Sequence, residues 1–203
     1  MIEGLDGAGK RTLADKLTAE LGGRVARLAF PRYGEDVHAD LVREGLHGRL
    51  GAFGDEVYGM AMLYALDRRG AADGIREALR DNDVVLLDRY VASNAAFGAA
   101  RLHQDARGEF VEWVRAVEIE RFGLPVPDAH LLLRVPVEVA ASRSAHRERT
   151  EDRGRDTWES DQPLQARVAA VYDGLAADGW LSPWHVLDGT STQDFRALAD
   201  ALR

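Results

Sequence analysis

Glu3-Gly4-Leu5-Asp6-Gly7-Ala8-Gly9-Lys10-Arg11-Thr12 decides how the rest of the chain is read. Gly4, Gly9 and Lys10 stand at the spacing of a phosphate-binding P-loop. The glycines at 4, 7 and 9 permit the close backbone approach that lets successive N–H groups point inward at a polyphosphate. A helix starting near Gly9 turns its positive end toward the same anion, and Lys10 reaches the outer phosphates as a mobile charge. Three positions alone describe many ordinary strand-to-helix turns. Here Leu13, Leu17 and Leu21 follow at helical spacing and Gly22-Gly23 stops the helix, which favours the P-loop. One slot departs from the motif. Arg11 occupies the place of the Ser or Thr that would meet magnesium, with Thr12 one residue later, so either Thr12 supplies the hydroxyl or carboxylates elsewhere hold the metal.

Only Met1 and Ile2 precede Glu3. Either the strand before the loop is very short or its start has been trimmed, and a weakened sheet centre is expected with it. Downstream, Val25, Leu28 and Phe30 mark a strand ending at Pro31, and Phe30-Pro31-Arg32-Tyr33-Gly34 reads as a turn. Val37, Leu41 and Leu46 predict a short helix, 48–54 a loop, and 55–79 one long helix interrupted by Arg68 and Arg69. Asp83-Val-Val-Leu-Leu-Asp88 is the pattern of a strand buried on both faces. Asp88-Arg89-Tyr90 then falls at its carboxyl end, where open α/β sheets bind ligands. Helices are expected over 91–103 and 106–122, and a further strand over 129–135, continuously apolar around Leu131-Leu132-Leu133. A helix from about Val137 passes into a charged stretch carrying Arg143, Arg147, Arg149, Arg153 and Arg155, with Gly154 among them. Asp156, Trp158, Glu159 and Asp161 begin a helix to about Gly179, followed by a strand (184–187) and a terminal helix through Phe195, Leu198 and Leu202. Strand–helix alternation predicts an α/β fold: a P-loop three-layer, doubly wound parallel sheet of about five strands with helices on both faces.

Composition narrows the classes. The 203 residues suit one domain, and the chain has no cysteine for a disulfide framework or zinc-thiolate site. No apolar run is long enough to cross a bilayer and no signal peptide is visible. A cytoplasmic protein without a membrane partner is expected. The net charge of −8 argues against nucleic acid as a partner, since an acidic surface repels the phosphate backbone. The arginine-rich stretch therefore needs a smaller anion to serve, or is a solvated surface run.

P-loop, Phe30-Pro31-Arg32-Tyr33, Asp88-Arg89-Tyr90 with Ser93-Asn94, Gly123-Leu124-Pro125-Val126-Pro127-Asp128 and the arginine-rich stretch come in an order that resembles the thymidylate kinases of the nucleoside monophosphate kinase superfamily, over essentially the whole chain. The resemblance implies transfer of the ATP γ-phosphate to dTMP within a single domain, 1–203, whose lid covers about 143–157. It implies that Gly4 to Thr12 bind ATP, and that Lys10, Arg89, Asp6 and the lid arginines Arg147 and Arg149 are catalytic. Arg89 would grip the acceptor phosphate with Arg32 as helper. Arg68 and Asn94 would read the polar edge of thymine, and Tyr64 would stack on the base. Phe30, with Pro31, would shape the pocket near the 5-methyl group, and Tyr33 and Ser93 complete the substrate site. Phe97 stands where many relatives carry a tyrosine near the sugar's 2′ position. Magnesium would be shared by Asp6, Asp88, Glu159 and the phosphates, as a hydrated ion with oxygen ligands. The family also suggests a homodimer. The competing readings are a kinase for another nucleotide or nucleoside and, in a different class, a non-catalytic P-loop binding module. Against a GTP switch, the Asn-Lys-x-Asp guanine signature is absent.

Overall fold

A computed structural model describes residues 1–151 and 161–202, with side chains as far as His146 in the first stretch. Five parallel strands run in the order β2-β3-β1-β4-β5: β1 (Ile2–Glu3), β2 (Val25–Ala29), β3 (Val84–Asp88), β4 (His130–Arg134) and β5 (Trp184–Asp188). This is the doubly wound α/β sheet that the alternating pattern predicts. The expected short strand is the middle one. Its two residues pair with both neighbours, Ile2 opposite Asp88 and Leu131, and Glu3 opposite Leu132. The ladder is carried across it by Leu131 N–H donating to Met1 O at 2.7 Å and Arg89 N–H donating to Ile2 O at 3.0 Å.

Helix α1 (Lys10–Leu21) leaves the P-loop with Leu13, Leu17 and Leu21 buried, as their spacing requires. Helix α2 (Val37–Leu46) is capped by Asp36, whose carboxylate accepts from His38 N–H. The single helix expected over 55–79 is instead two, α3 (Val57–Gly70) and α4 (Ala72–Asp81). The turn tightens at Ala71, whose N–H donates to Arg68 O as well as Asp67 O, while Asp67 O also accepts from Arg32. Buried Ala71, Ala72 and Ile75 resume the apolar face straight after Arg68, Arg69 and Gly70, so the break reads as an interruption of one helix rather than its end. The loop expected over 48–54 contains a 3-10 turn, Gly51–Asp55.

Helix α5 is Val91–Arg101. The helix expected over 106–122 begins later, as α6 (Glu109–Val114), and continues in π-helical form through Arg115–Arg121. Helix α7 (Val137–Glu151) carries the backbone of the first arginine-rich residues in helix rather than loop. Helix α8 (Gln162–Ala177) is capped by Asp161, and α9 (Phe195–Ala201) by Asp194. The rest of the expected lid, including Arg153, Gly154, Arg155, Asp156, Trp158 and Glu159, lies outside the described residues, as do the side chains of Arg147 and Arg149.

Most buried apolar side chains form one core against the sheet, including Ile2, Leu17, Ile75, Leu131, Phe110 and Leu175. A smaller cluster of Val42, Leu46 and Met60 ties α2 to α3. Because β1 has β3 on one side and β4 on the other, the strand order reverses there. A crevice forms at the carboxyl ends of β1 and β3.

Candidate active site

A cleft of about 1090 Å³ opens at that crevice. Asp6, Gly7, Gly9, Lys10, Arg11 and Thr12 line one end, and Phe30, Tyr33, Tyr64, Arg68, Asn94 and Phe97 the other, with Asp88, Arg89 and Ser93 also on its wall. The expected loop residues Gly4, Leu5 and Ala8 stand behind it. Gly4 and Gly7 are required as glycines: both have positive φ, and an added Cβ would meet Leu133 O at 2.6 Å and Ala140 O at 2.1 Å.

Lys10 is buried and donates to the carbonyls of its own loop, Leu5 O at 2.9 Å and Gly4 O at 3.1 Å. Burial, with Arg89 adding repulsion, lowers its ammonium to about 8 despite Asp6, Asp88 and Glu3 nearby. Arg89 sits in the left-handed region at φ 62°, which turns its side chain back over the crevice. Its Nη2 donates to Asp6 Oδ1 at 2.6 Å and its Nη1 to Ser93 Oγ at 3.1 Å, and its guanidinium lies 5.3 Å from the Phe97 ring centre. Burial opposes its charge, but Asp6, Tyr172, Glu3 and Asp88 hold its pKa well above the ordinary value.

Beneath Arg89 is a buried acid that the sequence pattern did not single out. Glu3 is fully enclosed and accepts from Tyr90 N–H at 3.0 Å, Ser93 Oγ–H at 2.6 Å and Tyr172 Oη–H at 2.9 Å. Tyr172 comes from α8, so residues far apart in the chain converge on the support of one cation. Arg143 was likewise missed as a site residue. It lines the cleft and ties α7 to the P-loop by donating to Ala8 O and Gly189 O, each at 3.2 Å.

At the other end, Arg68 makes two parallel hydrogen bonds to Glu118, Nε to Oε2 at 2.6 Å and Nη2 to Oε1 at 2.7 Å. Asn94 Nδ2 donates to Glu118 Oε1 at 2.7 Å and Ala61 O at 3.0 Å. Glu118 is a further group the pattern did not expose, although its place four residues after buried Val114 and seven after buried Val111 put an acid on an apolar helical stripe. Arg32 does not line the cleft. Its Nε donates to Asp67 Oδ1 at 2.8 Å and its Nη2 to Asp36 Oδ2 at 2.9 Å and Asp67 O at 2.6 Å, which braces the Phe30–Pro31 turn against α3. Pro31, Phe30 and Tyr33 do face the cleft.

A metal fits the donor set only in hydrated form. Among the described residues no three acids or histidines cluster as ligands. Asp88 Oδ1, however, is buried with no hydrogen-bond partner, an acceptor that suits a cation sharing phosphate oxygens and waters. Asp6, also expected at the metal, is engaged by Arg89. Glu159 lies outside the described residues.

A family model described as thymidylate kinase matches residues 2–192. The chain belongs to the thymidylate kinase family. Thymidylate kinase of Mycobacterium tuberculosis (strain H37Rv) is 53% identical to it over 92% of this chain and 89% of that protein. Thymidylate kinase of Xanthomonas oryzae pv. oryzae (strain PXO99A) is 34% identical over 95% of this chain and 76% of its own. The human thymidylate kinase is 27% identical, covering this whole chain and 90% of that protein. As a thymidylate kinase, the chain is an enzyme of the transferase class that uses ATP as phosphate donor.

Proposed function

We propose that the chain transfers the γ-phosphate of ATP to dTMP, giving ADP and dTDP for dTTP synthesis, and that the cleft at β1 and β3 is where it does so. The observation that carries this reading is that one cavity is lined by the P-loop, Arg89, Arg68 and Asn94. The P-loop amides and Lys10 hold the donor phosphates. Arg89 binds the acceptor phosphate as a guanidinium fork, preset by Asp6 and Ser93. Phosphoryl transfer needs its two oxygens held in line and the charge on the equatorial oxygens compensated, and these cations supply both. The attacking oxygen belongs to an already anionic phosphate, so no general base is needed.

Asp88, with Thr12 at the cleft, would hold magnesium through its waters, and the ion would neutralise charge on the donor phosphates. Arg147 and Arg149 would add positive charge from α7, and Glu159 a further oxygen ligand. Phe30, Tyr33 and Tyr64 would enclose the base and Phe97 the sugar. A homodimer working in the cytoplasm completes the proposal. In support of a setting free in water, no helix among the described residues is long and apolar enough to cross a membrane. Coupled ADP release measured across nucleoside monophosphates tests the assignment. Turnover fastest with dTMP is expected, and turnover fastest with a purine monophosphate overturns it.

A further inference from the structure

Glu118 occupies a position with no obvious place in phosphoryl transfer. It is a fully buried carboxylate in the π-helical stretch, 50 residues from Arg68 and 24 from Asn94. Its surroundings set a donor and acceptor pattern at the cleft. The two partners of Asn94 Nδ2, a carbonyl and a carboxylate, can only accept. Both amide hydrogens are therefore consumed, and the orientation of the amide follows from chemistry rather than from choice. What Asn94 has left for the cleft is Oδ1, an acceptor. In Arg68, Nε–H and one Nη2–H go to Glu118, and every hydrogen left on the guanidinium is a donor. The wall thus offers one acceptor beside one donor.

We infer that Glu118 is a positioning residue that sets which pyrimidine the cleft accepts, by locking Asn94 as an acceptor and Arg68 as a donor. This rests on the dTMP reading above and deepens it. A pyrimidine-2,4-dione presents an N3–H donor next to a C4 carbonyl acceptor, the complement of this wall. Cytosine presents the reverse, a bare N3 acceptor next to an amino donor. A carboxylate that only accepts cannot let Asn94 flip. An amide in its place can present an N–H to Asn94 instead of an acceptor, which leaves Ala61 O as the one remaining hold on the Asn94 NH2 and loosens the lock.

The test is Glu118→Gln, with wild type beside it, assayed for kcat and KM with dTMP and dCMP. The expected result is a rise in KM for dTMP and a fall of about tenfold or more in the dTMP-to-dCMP ratio of kcat/KM, with kcat for dTMP changed far less. A uniform loss for both acceptors at an unchanged ratio overturns the inference, since that is what a merely structural residue gives. Glu118→Asp guards against a variant that does not fold. It keeps the charge beside Arg68 but withdraws it from Asn94 by about one methylene. A smaller fall in the same ratio supports the inference and an unaltered ratio overturns it. A wild-type preference for a monophosphate other than dTMP defeats the function itself, an outcome recognisable before any variant is compared.

Discussion

The two ends of the cleft are built on opposite plans. At the donor-phosphate end the groups come from consecutive residues, Asp6 to Thr12, and among the described residues Lys10 is held by carbonyls of its own loop. At the base end they come from α3, α5 and the π-helical stretch, and every bond that fixes them runs to a buried carboxylate or carbonyl. A lysine on its loop can exchange carbonyl partners for phosphate oxygens at little cost. The Arg68–Glu118–Asn94 triangle cannot give up one of its internal bonds without leaving a buried charge unpaired. Under the proposed function, one end would govern rate and the other choice.

The sharpest way to break that contrast is Lys10→Met. It should lower kcat by about 10²- to 10³-fold, in line with loss of a preorganised charge at the transferring group, while KM for dTMP stays close to wild type. Steady-state kinetics with each substrate varied would show it, and a comparable rise in KM for dTMP would erase the distinction between the two ends. Arg89→Lys comes next. A point charge cannot reproduce a fork shared between Asp6, Ser93 and a phosphate, so kcat/KM for dTMP should fall by about 10- to 100-fold, mostly in KM. Smaller still is Tyr172→Phe. It removes one donor from Glu3, and denaturant titration should register a loss of about 1–2 kcal/mol. No change in midpoint would mean that the helix-to-cation support is idle.

The mildest effect is one of pH. Lys10 works protonated, and burial brings its pKa from 10.5 to about 8. The ATP-dependent kcat/KM should therefore fall severalfold as pH rises past about 8, with the limb absent in Lys10→Met. Stability should move the other way through this group. Between about 8 and 10.5 the unfolded chain keeps a proton the folded chain has released, so the fold gains with rising pH across that window. Denaturation of wild type and Lys10→Met over the same range would expose the difference in slope.

The same contrast explains what could be read in the sequence. The P-loop is a run of neighbours whose glycines and lysine carry the signal in order, and Asp88-Arg89 is announced by the apolar strand before it. A parallel, doubly wound sheet of about five strands follows from alternation, whereas the order of the strands within it comes from the structure. Arg68 and Asn94 emerged through resemblance to a family, but Glu118 did not, because its place on the apolar stripe through Val111 and Val114 marks it as inward-facing without saying what it meets. Its π-helical turn and its partners 24 and 50 residues away are tertiary facts. Glu3 was hidden for a different reason: as the first letter of the loop motif it looked like a flank, whereas it is the buried counter-charge beneath Arg89. Arg32 went the other way. The family resemblance implied a helper at the acceptor phosphate, yet Asp36 and Asp67 claim its guanidinium, and the acids that would have revealed this are plain surface letters in one dimension.

Phe97 brings one more consequence. The guanidinium of Arg89 rests over its ring, and a ring edge without a hydroxyl offers a sugar a wall but no handle. In the proposed pose, discrimination at the 2′ carbon must then scale with the girth of the substituent rather than with its polarity. Fluorine would pass where a methoxy group is turned away, which makes the position a natural place to seat modified nucleotides.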